Sequence, residues 1–189
     1  MDLEDVYDAY KLDPSFKHLR DIYNFVPGMG NPNAELLFVG EAPGQTENTL
    51  KVPFCGVSGR ILDRMLDSIG LDRSKCYVTN LLKYRPSETN RDPNPQELID
   101  SIPYLTEEIR IIKPRLVVSL GTVPARAFLP GHRFKDVKGS TFALTPDIDL
   151  FVTYHPAYIS YNRSAEAEYL EHFKLIKEYV DGATAERIL

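Results

Sequence analysis

Four stretches of the chain are almost continuously apolar for five to seven residues and then stop: 34–39, 76–82, 116–120 and 150–154. A strand with one wet face alternates apolar with polar residues, whereas a strand covered on both faces does not. These runs therefore predict parallel strands buried between helices. Between them the apolar spacing changes to three and four. Ile61, Leu62, Met65, Leu66 and Ile69 predict a helix over 59–69 that Gly70 ends. Asn94 as N-cap, Pro95 in the first helical position and Glu97 three residues after the cap start another, ahead of Leu98, Ile102, Leu105 and Ile109. Residues 122–129 and 165–180 read as further helices. No internal repeat, low-complexity tract or long linker interrupts the pattern. Alternating strands and helices with short connections predict a three-layer α/β/α sandwich around a parallel sheet of about four strands, a single domain over residues 1–189.

In such sheets ligands bind beyond the carboxyl ends of the strands. The residues just after each predicted strand are chemically loaded: Gly40-Glu41-Ala42-Pro43-Gly44, then Asn80, then Gly121, then His155-Pro156. Two glycines around a proline suit a tight loop whose backbone N–H groups face a ligand, and equally suit an ordinary strand-to-helix turn with Glu41 solvated. Phe54, in Pro53-Phe54-Cys55-Gly56, is either a core plug or a stacking platform for a flat base. The Asn80 amide either closes its strand end or reads a nucleobase edge with its adjacent donor and acceptor. His155, in Thr-Tyr-His-Pro, is out of place for a core imidazole and suits a donor to an oxygen that gains charge in a transition state. His18, His132 and His172 lack such a context and read as surface residues.

Composition narrows the class. Hydrophobic residues make up 43% and charged residues 26%, as in an average globular protein. The acidic start, Met1-Asp2-Leu3-Glu4-Asp5, is unlike a signal peptide, and no apolar run is long enough to span a bilayer, so the expected compartment is the cytoplasm. Cys55 and Cys76, without a CxxC pair, read as buried thiols. A net charge of −5 argues against gripping nucleic acid by bulk electrostatics alone. It leaves room for a local basic groove, since Lys83, Arg85 and Arg91, then Arg126, Arg133, Lys135 and Lys138, gather in particular places.

Taken in order and spacing, these segments resemble the uracil-DNA glycosylase superfamily, in particular its family four. The resemblance runs through Val26-Pro27-Gly28-Met29-Gly30-Asn31, the motif from Gly40 to Gly44, Pro53-Phe54-Cys55-Gly56-Val57-Ser58-Gly59 and Tyr77-Val78-Thr79-Asn80. It continues through Lys83-Tyr84-Arg85-Pro86, Asn90-Arg91-Asp92-Pro93, Pro103-Tyr104-Leu105, Leu120-Gly121 and Thr153-Tyr154-His155-Pro156-Ala157. It implies an enzyme that flips deoxyuridine out of DNA and hydrolyses its N-glycosidic bond to start base excision repair. Phe54 would stack on the uracil, and Asn80 would accept from N3–H and donate to O4. His155 would stabilise charge at O2 as the base leaves. The backbone of Gly40, Glu41, Ala42, Pro43 and Gly44 would line the pocket, with Glu41 holding the attacking water together with Asn90. Ser58, Arg91, Lys135, Lys138, Pro156 and Ala157 are the candidate DNA contacts. Uracil-containing DNA, single- or double-stranded, is the expected partner, and the chain is expected to be a monomer.

The departures from the family matter as much. Another family of the superfamily carries an Asp general base where Ala42 stands, so bond breaking must lean on leaving-group stabilisation. Family four normally ligates an iron-sulfur cluster with four cysteines. Here residues 8–23 contain none, and the two later positions are Tyr84 and Ser101. No cofactor is therefore expected, with an apolar or hydrogen-bonded substitute in its place. Tyr161 stands where an Arg often follows the His-Pro motif. No histidine lies between Lys83 and Glu97, which argues against covalent trapping of DNA there. A non-catalytic reader of uracil-containing or single-stranded DNA is the rival reading. A small-molecule nucleotide enzyme would need a Gly-Lys-Ser or GxGxxG phosphate loop, and neither occurs.

Overall fold

All four apolar runs form strands in the computed structural model, which describes residues 1–89 and 91–182. The amino-terminal part holds α1 (Leu3–Leu12), α2 (Lys17–Arg20) and β1 (Met29–Gly30). Then come β2 (Leu36–Gly40), α3 (Gln45–Leu50), α4 (Val57–Ser68), β3 (Tyr77–Asn80) and α5 (Pro95–Ile112). The second half contains β4 (Leu116–Leu120), α6 (Thr122–Phe128), α7 (Phe134–Val137) and β5 (Thr141–Ala143). It closes with β6 (Asp149–Thr153), α8 (Pro156–Tyr161) and α9 (Glu166–Val180). The strand order is β1-β3-β2-β4-β6-β5.

The inner four strands are parallel, as expected. Two short antiparallel strands flank them, β1 on β3 and β5 on β6. Neither is visible in the apolar pattern, because Met29 and Gly30 are exposed and Thr141–Ala143 is mostly so. Every residue of β2, β3, β4 and β6 is buried. Alternate side chains divide between two layers. Phe38, Val118 and Phe151 pack against Leu62 and Leu66 of α4 and Phe173 of α9, while Leu37, Val39, Val117 and Val152 meet Leu105 and Ile109 of α5 and Ala125 of α6. The capping box at α5 is present: Asn94 Oδ1 accepts from Glu97 N at 2.9 Å and Glu97 Oε2 from Asn94 N at 2.8 Å.

A third cluster stands behind the carboxyl end of β3, where Tyr10, Phe16 and Leu19 enclose Leu82 and Tyr84. Tyr10 stacks on Phe16 at 4.1 Å and meets Tyr104 edge-on at 4.8 Å. Tyr84 is 1% exposed, and the Tyr10 hydroxyl pairs with Ser101 Oγ at 2.9 Å. The two later cysteine positions that the resemblance implies, Tyr84 and Ser101, thus hold an aromatic ring and a hydrogen-bonded hydroxyl. Beside this cluster lies a buried ion pair, Lys83 Nζ to Glu108 Oε2 at 2.5 Å, with both side chains fully enclosed. Tyr7 and Thr79 hydroxyls donate to Glu108 Oε1 at 2.5 and 2.9 Å, which satisfies the carboxylate away from water.

Three expectations need correction. Lys83 belongs to the core, not to a basic groove. His172 is not a surface residue: it is buried on the sheet, its Nδ1 2.8 Å from Thr153 Oγ1, because α9 lies flat over β6. Cys76 is buried as expected, but Cys55 is only half-buried, in the loop ahead of α4.

Candidate active site

The carboxyl ends of β2, β3, β4 and β6 open into a cleft of about 970 Å³. Glu41 leaves β2, Asn80 ends β3, Gly121 follows β4 and His155 follows β6, and all four line it. Parallel register is the reason: Gly40 pairs with Asn80, so residues 40 apart in sequence end at one level.

The first loop is pinned to its neighbour by Leu81 N donating to Gly40 O at 2.9 Å and Leu82 N to Glu41 O at 3.0 Å. Gly40 itself lies behind the wall. A Cβ there would stand 2.4 Å from Phe54 Cζ and 2.5 Å from Asn80 Oδ1, so only glycine lets ring and amide converge. Ala42, Pro43, Gly44 and Phe54 all line the cleft. Asn80 is 4% exposed, and Lys83 Nζ donates to its carbonyl at 2.5 Å and to Thr79 Oγ1 at 2.6 Å. The buried ion pair thus grips the strand end that carries the amide.

His155 caps α8. Its Nδ1 accepts from Ala157 N at 3.0 Å, so a neutral ring carries its proton on Nε2. Desolvation pushes the imidazole down to about 4, which keeps it neutral near pH 7. The Phe54 and His155 rings lie 6.1 Å apart. Glu41 is half-buried, and burial, followed by the Asp92 carboxylate beside it, pushes it up to about 7. The arrangement brings together a flat apolar face, an amide with a donor and an acceptor, a neutral N–H donor and a carboxyl group that ionises near neutrality. That set can hold a planar, polar-edged base and stabilise charge on it.

The candidate DNA contacts are less uniform. Ser58, Arg91, Lys135, Lys138 and Ala157 line the cleft, whereas Pro156 is buried in the first turn of α8. Lys135 is exposed on the rim. Arg91 is engaged in a fork on Glu97, at 3.0 and 2.9 Å, and Lys138 pairs with Glu168 above the Tyr154 ring. Asn90 lies outside the described residues. Three participants were not singled out from sequence. Asp92 faces Glu41 and Glu47 Oε1 accepts from Gly56 N at 3.2 Å, although each stands inside or beside one of the family motifs. Arg73, outside every motif, donates to the Phe54 carbonyl. Only proximity in the fold marks them.

The chain has two cysteines, and among the described residues no group of three or more His, Cys, Asp or Glu side chains is placed to hold a metal ion. No helix among them is long and apolar enough to cross a membrane.

A family model described as the uracil DNA glycosylase superfamily matches residues 27–180. The chain is 39% identical over 163 residues to a type-4 uracil-DNA glycosylase of Archaeoglobus fulgidus, covering 82% of this chain and 81% of that one. It is 39% identical over 164 residues to the type-4 enzyme of Sulfurisphaera tokodaii, covering 82% and 74%. It is 33% identical over 161 residues to that of Thermotoga maritima, covering 83% of each.

Proposed function

The chain belongs to the uracil DNA glycosylase superfamily, and we propose that it hydrolyses the N-glycosidic bond of deoxyuridine in DNA, releasing uracil and leaving an abasic site. The observation that carries this reading is the neutral His155, its Nδ1 occupied by Ala157 N and its Nε2–H left to donate, in one cleft with Asn80 and Phe54. A flipped uracil sandwiched against Phe54 would offer O4 and N3–H to Asn80. Cytosine presents the opposite donor and acceptor order there and would leave both amide groups unpaired, a heavy penalty in a dry pocket.

As the C1′–N1 bond breaks, the electron pair goes to the base, and the growing charge on O2 meets the His155 donor. A neutral donor suits this step, since it need not give up its proton to let the uracil anion leave. Water then adds to C1′, with ionised Glu41 polarising it and Asn90 helping to orient it; the proton it loses goes to solvent, and the departing uracil anion takes up one proton. With Ala42 where another family has an Asp, the anion-stabilising side of the reaction carries more of the barrier. Ser58, Lys135 and Ala157 on the cleft rim are the contacts we assign to the DNA backbone. Arg91 and Lys138 would first have to exchange their carboxylate partners for phosphates.

We also propose that the protein works without an iron-sulfur cluster. Tyr84, Ser101 and Tyr10 fill that region with packed rings and a hydroxyl pair, and Cys76 belongs to the separate core cluster under α4. A donor set of this kind offers a cluster no thiolates. Packing of α1 on α5 and of Tyr10 on Tyr84 supports one unit across the described residues, and a monomer is tested by its sedimentation.

Incubation with a labelled oligonucleotide carrying one deoxyuridine, single-stranded or opposite G or A, followed by alkaline cleavage, tests the activity. The parent is expected to cut. His155→Ala is expected to lose about 100- to 1,000-fold in rate, the cost of removing one charge-stabilising donor. Uracil-dependent binding without scission by the parent would make this a reader of uracil-containing DNA and sink the enzyme reading.

A further inference from the structure

Phe54 holds a backbone conformation that its residue type disfavours. Its φ is 49°, in the left-handed region where a Cβ crowds the following carbonyl. Lys51 and Lys113 share that region, but both end helices, where it is ordinary. Phe54 ends none, so its strain must be held from outside.

The holder is visible. Arg73 stands on a short turn between α4 and β3. Its Nη1 donates to Phe54 O at 2.9 Å and its Nη2 to Pro53 O at 3.0 Å, so one guanidinium spans two successive carbonyls. Nη1 also reaches Asp63 Oδ1 of α4 at 2.7 Å, which orients the fork. Gly59 completes the seat, for a Cβ there would lie 1.8 Å from Phe54 O. On the other flank Glu47 accepts from Gly56 N. Arg73 is not among the residues that line the cleft, so it holds the wall from behind.

We propose that Arg73 is a positioning residue for the base-stacking wall: its fork on the Pro53 and Phe54 carbonyls fixes the strained turn so that the Phe54 ring faces the uracil. This rests on reading Phe54 as the stacking face. The geometry calls for arginine, since an ammonium is a point donor without a planar fork.

The test is a coupling cycle with the full chain, measuring kcat and KM on the deoxyuridine oligonucleotide and melting temperature for the parent, Arg73→Ala, Phe54→Ala and the double variant. Stacking acts on bound substrate and transition state alike, so Arg73→Ala is expected to lower kcat/KM about tenfold, chiefly through KM. In the Phe54→Ala background the same change is expected to cost less than about twofold, because the group being positioned is gone. Arg73→Lys, which keeps the charge beside Asp63, recovers part of the loss. Equal losses in both backgrounds, or parent-like kinetics for Arg73→Ala, overturn the proposal. Should Arg73→Ala not fold, parent-like kcat/KM in Arg73→Lys overturns it. Parent-like activity of Phe54→Ala removes the stacking reading and this proposal with it, whereas an inactive parent speaks against the glycosylase reading itself.

Discussion

Glu41 shows how burial and a neighbouring carboxylate set the titration of a site carboxyl group. Glu41 is half-buried and pushed up to about 7, first by burial and then by the neighbouring Asp92 charge. Only ionised Glu41 can polarise water, so the rate is expected to fall as pH drops through 7. His155, pushed down to about 4, stays neutral across that limb and does not set it. Asp92→Asn removes the lesser cause, so the acid limb should move to lower pH and still sit above an ordinary carboxylate. A pH profile of kcat/KM for parent and variant reads this directly, and an unmoved limb would separate Asp92 from Glu41. At this scale the sequence was informative: Glu41 and His155 follow apolar runs and Asn80 lies towards the end of one, where a parallel sheet delivers its chemistry. Asp92 carried no such mark, since its meeting with Glu41 joins a strand end to a loop that follows the next strand.

Among the elements, β3 is braced by a buried ion pair at its carboxyl end. Its last residue, Asn80, is gripped through its carbonyl by Lys83, whose charge is matched by Glu108 on α5. Lys83→Met would leave the Glu108 carboxylate buried without its cation, and a loss of about 3–5 kcal/mol is expected. Lys83→Met/Glu108→Gln, which removes both charges and retains an acceptor for Tyr7 and Thr79, should recover much of that stability. Urea denaturation of the two variants checks it, and a double variant as unstable as the single would refute the argument. Tyr84 poses the parallel question for the aromatic cluster. Tyr84→Ala empties a site that is 1% exposed, so about 3–5 kcal/mol should be lost, and adding iron and sulfide should not restore it. The strands and the longer helices of this scaffold were legible from periodicity, α5 down to its cap. Helix α1 was not, although Asp2 and Asp5 form a capping box: its ten residues bury Val6, Tyr7 and Tyr10 along one narrow face. The edge strands β1 and β5 were equally silent, because backbone pairing defines them and burial does not.

For the whole molecule, charge sets the terms of DNA binding. The net charge is −5, Arg91 and Lys138 hold carboxylates, and Lys83 is buried. Of the described cations that line the cleft, Arg85, Arg91 and Lys138 pair with carboxylates and Lys135 is exposed, so the cleft offers few to displace counterions from a duplex. The logarithm of the binding constant should fall with the logarithm of salt at a slope of magnitude about 3 or less, near one unit per phosphate neutralised. A titration across salt concentrations measures it, and a much steeper slope would mean that the paired cations are released to the DNA.

The succession of the inner strands and longer helices, the parallel core and the residues at its carboxyl edge were determined by the sequence alone, because burial on both faces of a sheet forces a local pattern that can be read without coordinates. The uses of Lys83, Arg73, Asp92 and His172 were decided only by the tertiary structure. A charged or titratable side chain takes its role from the partner it meets and the water it loses. Those partners, Glu108, Asp63 with the Phe54 carbonyl, Glu41 and Thr153, come from other elements of the fold.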